Sequence, residues 1–256
     1  MDLFFHTQDL SKYKSKSQIA RVVTEGWVSE SMYCPRCGNA MLQHFPNNKP
    51  VADFFCPVCK NQFELKSKTG ALANKVNDGA YDTMLERITG NQCPDFFFMG
   101  YSKEDNSVHD FYTVPKHFIV PNIIERRKPL SGTAKRAGWV GCNILIHKIP
   151  RQGFIPVVCE KKIIPKEKVV KKVNRSLDLD IGSAESRGWL LDVLYCVNVI
   201  KTKQFLLSDV YAFEPYLQEL HPDNHNIRAK IRQQLQLLRD RGFIEFLGRG
   251  QYRKTE

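Results

Sequence analysis

CPRCGNAMLQHFPNNKPVADFFCPVCKNQFELK, residues 34–66, is the stretch that decides how the chain is read. Cys34, Cys37, Cys56 and Cys59 satisfy C-x2-C-x18-C-x2-C, the spacing of a structural zinc ribbon. Four thiolates close a tetrahedral shell and leave no position for a substrate, so the expected Zn²⁺ is structural. The same stretch carries acids in apolar surroundings. In QFELK, Phe63 and Leu65 alternate with Glu64 and Lys66, so a strand puts the apolar pair on one face and the charged pair on the other. Asp53 interrupts the apolar VADFFC just before the third cysteine. Two carboxylates on adjacent strands can hold Mg²⁺, a hard cation that prefers oxygen, and a lysine one step away can orient or deprotonate a water. A plain cross-strand ion pair satisfies E-x-K equally well, and these residues alone leave both readings open.

Composition widens the picture. With 256 residues, 42% of them hydrophobic, the chain can bury one large core or two ordinary ones. A formal charge of +11 favours a polyanionic partner, because neutralised phosphates release counterions. The start, MDLFFHTQDL, lacks the basic and long apolar regions of a signal peptide, and no apolar run is long enough to span a bilayer. The expectation is a cytoplasmic protein with no membrane and no obligate protein partner. In a reducing compartment paired cysteines hold metal more often than they form disulfides. Cys93, Cys142, Cys159 and Cys196 are isolated and read as buried small hydrophobes.

Along the chain, helical periodicity is expected over residues 6–30 and 74–91, and strands over 94–102 and 111–120, with a turn at Pro121. Strand signals alternating with helical ones indicate an α/β (α+β) layer around a mixed sheet. Residues 125–137 are strongly basic and lead into Trp139, either a solvated loop before a core tryptophan or a DNA-contacting loop that presents an aromatic. Residues 161–176 form a further lysine-rich run, phosphate-facing or simply a solvated edge.

The acidic, small-residue segment 177–185 suggests a boundary, giving domains 1–182 and 183–256. The second domain shows a helix over 186–200, a second capped by Ser208 and Asp209, and a third over 226–241. Ile227, Ile231, Leu235 and Leu238 form the apolar stripe of that third helix, with Arg228, Arg232 and Gln233 elsewhere. GFIEF, LGRG and QYRK then read as strand, turn and strand, which makes a winged helix. Its third helix suits base edges, and Arg249 and Arg253 sit where a wing meets the DNA backbone.

Asp53-x10-Glu64-x-Lys66 resembles the PD-(D/E)xK nuclease motif, although the proline is Pro50, three positions ahead of the aspartate. Beyond the motif, YCPRCGN, HFPNN, PVADFFC, FELKSK, NDGAYDTM, RAGWVGCNI, SRGW, IRQQLQLLRD and GRGQYRK resemble the DpnI-type methylation-dependent restriction endonucleases, co-linearly over nearly the whole chain. The resemblance implies a zinc-stabilised PD-(D/E)xK core with Asp53 and Glu64 as Mg²⁺ ligands and Lys66 as the catalytic lysine. It implies double-stranded DNA carrying N6-methyladenine in GATC as substrate, with the winged helix as a second reader. Trp139, flanked by Lys135 and Arg136, becomes the candidate for packing on the adenine methyl. A non-enzymatic zinc-ribbon, winged-helix regulator of methylated DNA is the competing reading. Acids facing phosphate argue against it unless a cation intervenes.

Overall fold

The computed structural model describes residues 1–6, 13, 15–46, 52–90 and 92–255. In chain order the first part comprises α1 (Lys16–Ser31), β1 (Gln43–His44), β2 (Phe54–Phe55), β3 (Gln62–Thr69), β4 (Val76–Ala80), α2 (Tyr81–Thr89), β5 (Asp95–Ser102), β6 (Ser107–Val114), β7 (Ile124–Arg126), β8 (Gly141–Ile144), β9 (Ile155–Cys159), β10 (Lys162–Ile163) and α3 (Lys166–Ser176). The second part comprises α4 (Ala184–Val199), β11 (Gln204–Leu206), α5 (Leu207–Tyr211), α6 (Glu214–Leu220), α7 (Ile227–Asp240), β12 (Ile244–Gly248) and β13 (Gln251–Lys254).

A seven-stranded mixed sheet runs β1-β2-β3-β5-β6-β9-β10, with β3 and β5 parallel and the other pairs antiparallel. The apolar run of β5 fits its place at the centre, where both faces are covered and hydrophobic residues need not alternate with polar ones. Phe97 and Met99 join Phe63 in one core, which α1 and α3 cover with Trp27, Val28, Val169 and Val173. Phe96 and Phe98 point into a second core, covered by α2, α4 and the three-stranded sheet β4-β8-β7. Phe63 and Phe97 stack across the parallel pair at 4.7 Å and 3°. Among the described residues no helix is long and apolar enough to cross a membrane.

Several expected elements shift. The first helix begins at Lys16; residues 7–12 and 14 lie outside those described. The helix expected over 74–91 is half strand, because Asn77 and Gly79 are poor helix formers and Val76–Ala80 pairs with β8. β6 begins at Ser107 and stops before Pro115, and a 3₁₀ turn at Lys116–Phe118 replaces the end of the expected strand. Ser208 lies inside α5: Leu206 is the N-cap, and its N–H donates to Asp209 Oδ2 at 2.7 Å. The single helix expected after it is two, because α6 restarts with Pro215 in its first turn. Cys93, Cys142 and Cys196 are buried as expected, while Cys159 is only partly so.

The two parts share one core. α4 is buried on every side, Trp189, Leu190, Leu191, Val193 and Leu194 included, because α7 covers one flank and the 3₁₀ turns at Lys116–Phe118 and Pro121–Ile123 the other. Asn122 Nδ2 donates to Asp192 Oδ2 at 2.7 Å, and His221 Nε2 lies 2.9 Å from the same oxygen while its ring stacks on Trp189. The Arg175 guanidinium sits 4.2 Å over the Phe243 ring.

His117 is buried in this shared region, and its Nε2–H donates to the Ser176 carbonyl at 2.8 Å. Burial pushes its pKa down to about 4, against the opposing pull of Asp180 and that carbonyl. Between pH 4 and the unfolded value of 6.5 the unfolded chain therefore binds more protons, and stability is lost as pH falls through that window. The slope from this group approaches about 1.4 kcal/mol per pH unit. Urea unfolding at pH 7 and pH 5 should show a larger loss for the native chain than for His117→Asn; equal losses would assign the acid sensitivity elsewhere.

Candidate active site and metal centre

Cys34–Asn39 and Cys56–Asn61 are two copies of one turn, C-P-x-C-x-N. In the first, Cys34 N–H donates to Asn39 O at 2.8 Å and Gly38 N–H to Cys34 O at 2.9 Å. In the second, Cys56 N–H donates to Asn61 O at 2.9 Å and Lys60 N–H to Cys56 O at 3.0 Å. The fifth position takes left-handed backbone in both, φ 76 at Gly38 and φ 60 at Lys60. The turns bring the four Sγ atoms within 4.8 Å of one another, with Cys34 to Cys59 and Cys37 to Cys56 each 3.6 Å apart. Four sulfurs about 2.3 Å from one ion would be spaced about 3.8 Å apart, so this cluster fits Zn²⁺. Burial works against a thiolate at Cys37, but the Asn39 N–H and the neighbouring thiols bring its pKa down to about 7. Asn61 Nδ2 donates to the buried Asp95 Oδ2 at 2.5 Å and so ties the second turn to the central strand.

The chain just before Cys56 is pinned by its backbone. Asp53 N–H donates to Phe63 O at 3.0 Å, Phe45 N–H donates to Asp53 O at 2.8 Å, and Leu65 N–H donates to Asp53 Oδ2 at 2.8 Å. Asp53 thus stands beside β3, whose alternation sends Phe63 into one core and sets Glu64 and Lys66 on the opposite face. Burial raises the Asp53 carboxyl above its ordinary value; the Leu65 N–H lowers it, and Glu25 and Glu64 raise it further. Lys66 Nζ donates to Glu64 Oε1 at 2.6 Å and also to Asp78 Oδ1, while Arg87 Nη2 donates to Glu64 Oε2 at 2.9 Å. Burial disfavours the Lys66 charge, but the Glu64 and Asp78 carboxylates outweigh it and raise its pKa.

The two acids and Lys66 expected to matter are therefore not alone. Asp53, Glu64 and Lys66 come together, and Asp78 from β4 and Arg87 from α2 complete the cluster. These two escaped the sequence reading because residues 74–91 looked like a single helix, which hides the strand that aims Asp78 at β3. The Asp78 side chain is only 5% exposed, and its Oδ2 is buried without a hydrogen-bond partner among the described residues. Glu64 and Asp78 share Lys66, Arg87 holds the other Glu64 oxygen, and Asp53 stands beside them on the neighbouring chain segment through its bond to Leu65 N–H. Carboxylate oxygens are the donors that a hard divalent cation takes.

Trp139 lies half-exposed outside both cores, on the loop that joins β7 to β8. The Arg136 guanidinium covers its ring at 4.7 Å, and Lys135 is exposed beside it. A Cβ on Gly141 would meet the Trp139 ring at 2.8 Å, so this packing requires glycine there. Because β8 also pairs with β4, the sheet that carries this loop is the one that carries Asp78.

In the second part, β11-β13-β12 form a three-stranded sheet against α7. Ile227, Ile231, Leu235 and Leu238 are buried, while Arg228, Arg232 and Gln233 are exposed. Arg228 pairs with Glu214 at 2.7 Å and Arg232 donates to Tyr211 Oη at 2.8 Å. Arg249 stands exposed at the turn of the β12–β13 hairpin, whereas Arg253 is neutralised by Glu245 at 2.5 Å.

A mixed sheet, a thiol cluster that could hold a metal ion and a carboxylate–lysine cluster stand beside a C-terminal helix-turn-helix unit. Residues 1–181 match DpnI, the Dam-replacing family, and residues 185–254 match its Dam-replacing helix-turn-helix domain. The chain belongs to this family of methylation-dependent restriction endonucleases.

The thiol geometry predicts one zinc ion per chain by native mass spectrometry. Cys56→Ser should lose the ion and lower the melting temperature by several degrees, about 2–4 °C for each kcal/mol lost. A protein that carries no zinc and whose four thiols all react freely in the folded state would contradict the assignment.

Proposed function

We propose that the chain is a Mg²⁺-dependent endonuclease of the PD-(D/E)xK type that cuts double-stranded DNA at GATC sites carrying N6-methyladenine, with Asp53, Glu64 and Lys66 as its catalytic residues. The observation that carries this reading is the convergence of those three side chains on β3 and its edge, within a chain of the family. Asp53 and Glu64 would hold the ion, which when bound acidifies a coordinated water and neutralises charge on the phosphate. Lys66, held between Glu64 and Asp78, orients the attacking water and donates to phosphate oxygen. Arg87 fixes the other Glu64 oxygen and so sets the direction of that carboxylate.

We assign residues 1–182 to the cutting unit and 183–256 to a winged-helix unit that reads the same site. The break falls where Ser183 caps α4 by accepting from Ser186 N–H at 3.2 Å. Trp139 is the proposed wall for the adenine methyl, supported by its half-exposed ring under the Arg136 guanidinium, in a loop that also carries Lys135. One methyl supplies only about 1 kcal/mol of apolar transfer energy. Strong discrimination therefore needs both strands methylated, or a second reader. Arg228, Arg232, Gln233, Arg249 and Arg253 are placed on DNA in this proposal, Arg253 exchanging its pairing with Glu245 for a phosphate.

Digestion of adenine-methylated and unmethylated copies of one plasmid, with Mg²⁺ and with chelator, tests the reading. Only the methylated copy with Mg²⁺ should be cut; equal cutting of both copies would sink the specificity. Asp53→Ala should abolish cleavage and leave DNA binding in a gel-shift assay largely intact. Asp78→Asn keeps shape but removes the charge facing Lys66, and should slow cleavage on the order of 10- to 100-fold, the scale of a residue supporting a metal ligand. A normal rate in either variant contradicts the assigned site.

A further inference from the structure

The lysine-rich run of residues 161–176 has no part in the cluster above, yet its helix forms one wall of a large crevice. That crevice encloses about 790 Å³ between α3 and strands β6 and β9, within the range of small-molecule sites. Lys168, Lys171, Lys172 and Arg175 recur at i, i+3, i+4 and i+7, so one face of α3 turns four cations toward it. The opposite face of the helix buries Val169 and Val173 in the core, which fixes this orientation. Across from the cations, Tyr112 and Phe154 stack at 4.2 Å and 23°, both half-buried and both lining the space. Phe243 closes the end nearest the second part, beneath the Arg175 guanidinium.

Among the described residues no acid lines the crevice. Arg175 is engaged by Asp178. Lys168, Lys171 and Lys172 are exposed and form no ion pair among the described residues. Like charges packed on successive turns repel and gain most from a shared anion. An aromatic wall facing unpaired ammonium groups is complementary to one chemistry above others, a flat heteroaromatic ring joined to a phosphate.

We propose that this crevice is a second binding site, for a nucleotide whose base packs on the Tyr112–Phe154 wall and whose phosphate is held by the Lys168–Lys171–Lys172 face of α3. It shares no residue with the Asp53 cluster, so it stands apart from the cleavage reading, and Asp53→Ala should bind the nucleotide as the native chain does. The phosphate-linked base can come from a free nucleotide or from a single strand of DNA, and both present the same groups.

Calorimetric titration of the full chain, without added Mg²⁺, with thymidine monophosphate, thymidine, inorganic phosphate and a short oligothymidylate tests it. The monophosphate should bind about tenfold or more tightly than thymidine or phosphate alone, because only it uses both walls. Lys171→Ala/Lys172→Ala changes two exposed positions and should weaken binding about tenfold. Phe154→Leu should do the same while leaving phosphate binding unchanged. Tighter binding of the oligomer than of the monophosphate assigns the site to a strand, and equal binding to the free nucleotide. Phosphate binding as well as the monophosphate, or no loss in the lysine variant, would reduce the crevice to a charged surface and overturn the proposal.

Discussion

Everything near the cluster depends on the parallel pairing of β3 with β5. Seven consecutive registers, Phe63 with Asp95 through Thr69 with Tyr101, lock a half-polar strand to one that is apolar from Phe96 to Gly100. The pleat then forces Glu64 and Lys66 to one side and Phe63 to the other. A slip of one residue would send the ion pair into the Trp27 core and Phe63 into the acids. That register has independent anchors at its beginning. Asn61 reaches Asp95 from the second cysteine turn, and Asp95 Oδ1 accepts from Lys116 N–H at 2.8 Å. The fully buried Asp95 carboxylate therefore satisfies both its oxygens on chain segments that frame the strand.

The charged cluster is held together by opposed terms. Burial disfavours the charge on both Asp53 and Lys66, but each lies beside groups that favour it, the Leu65 N–H for Asp53 and the Glu64 and Asp78 carboxylates for Lys66. Removing one member leaves the others buried and unpaired, which costs more than the interaction itself contributed. Asp78 shows this most directly, since one oxygen meets Lys66 and the other meets nothing among the described residues. A carboxylate kept in that state is costly, and such sites concentrate where chemistry is done.

How much could be read from the residues follows from how local each signal is. The cysteine turns, the E-x-K alternation, the central strand 95–102 and the stripe of α7 are encoded within a few positions, and each appears where expected. The stretch 74–91 was not legible. Its strand exists only because β8, more than sixty residues on, pairs with it. Asp78 was hidden for the same reason, and so was the course of α3 beside β6 and β9. Trp139 could be read either as core or as surface, because a tryptophan between glycines fits both. Burial decides, and it lies outside the core.

The repeated turn around the four thiols suggests duplication, yet the copies serve unequal ends. The first faces α3: a Cβ on Gly38 would lie 3.4 Å from the Lys166 side chain, and Asn174 Nδ2 donates to Arg36 O at 3.1 Å. The second faces β5 through Asn61. An ion shared between them would therefore be a rivet through three layers: the lysine helix, the paired strands and the loop that presents Asp53. Its mechanical effect would reach well past the residues that bind it. A chain that lost it would free both walls that its neighbours are built against, and would lose shape at the acid cluster and along α3 together.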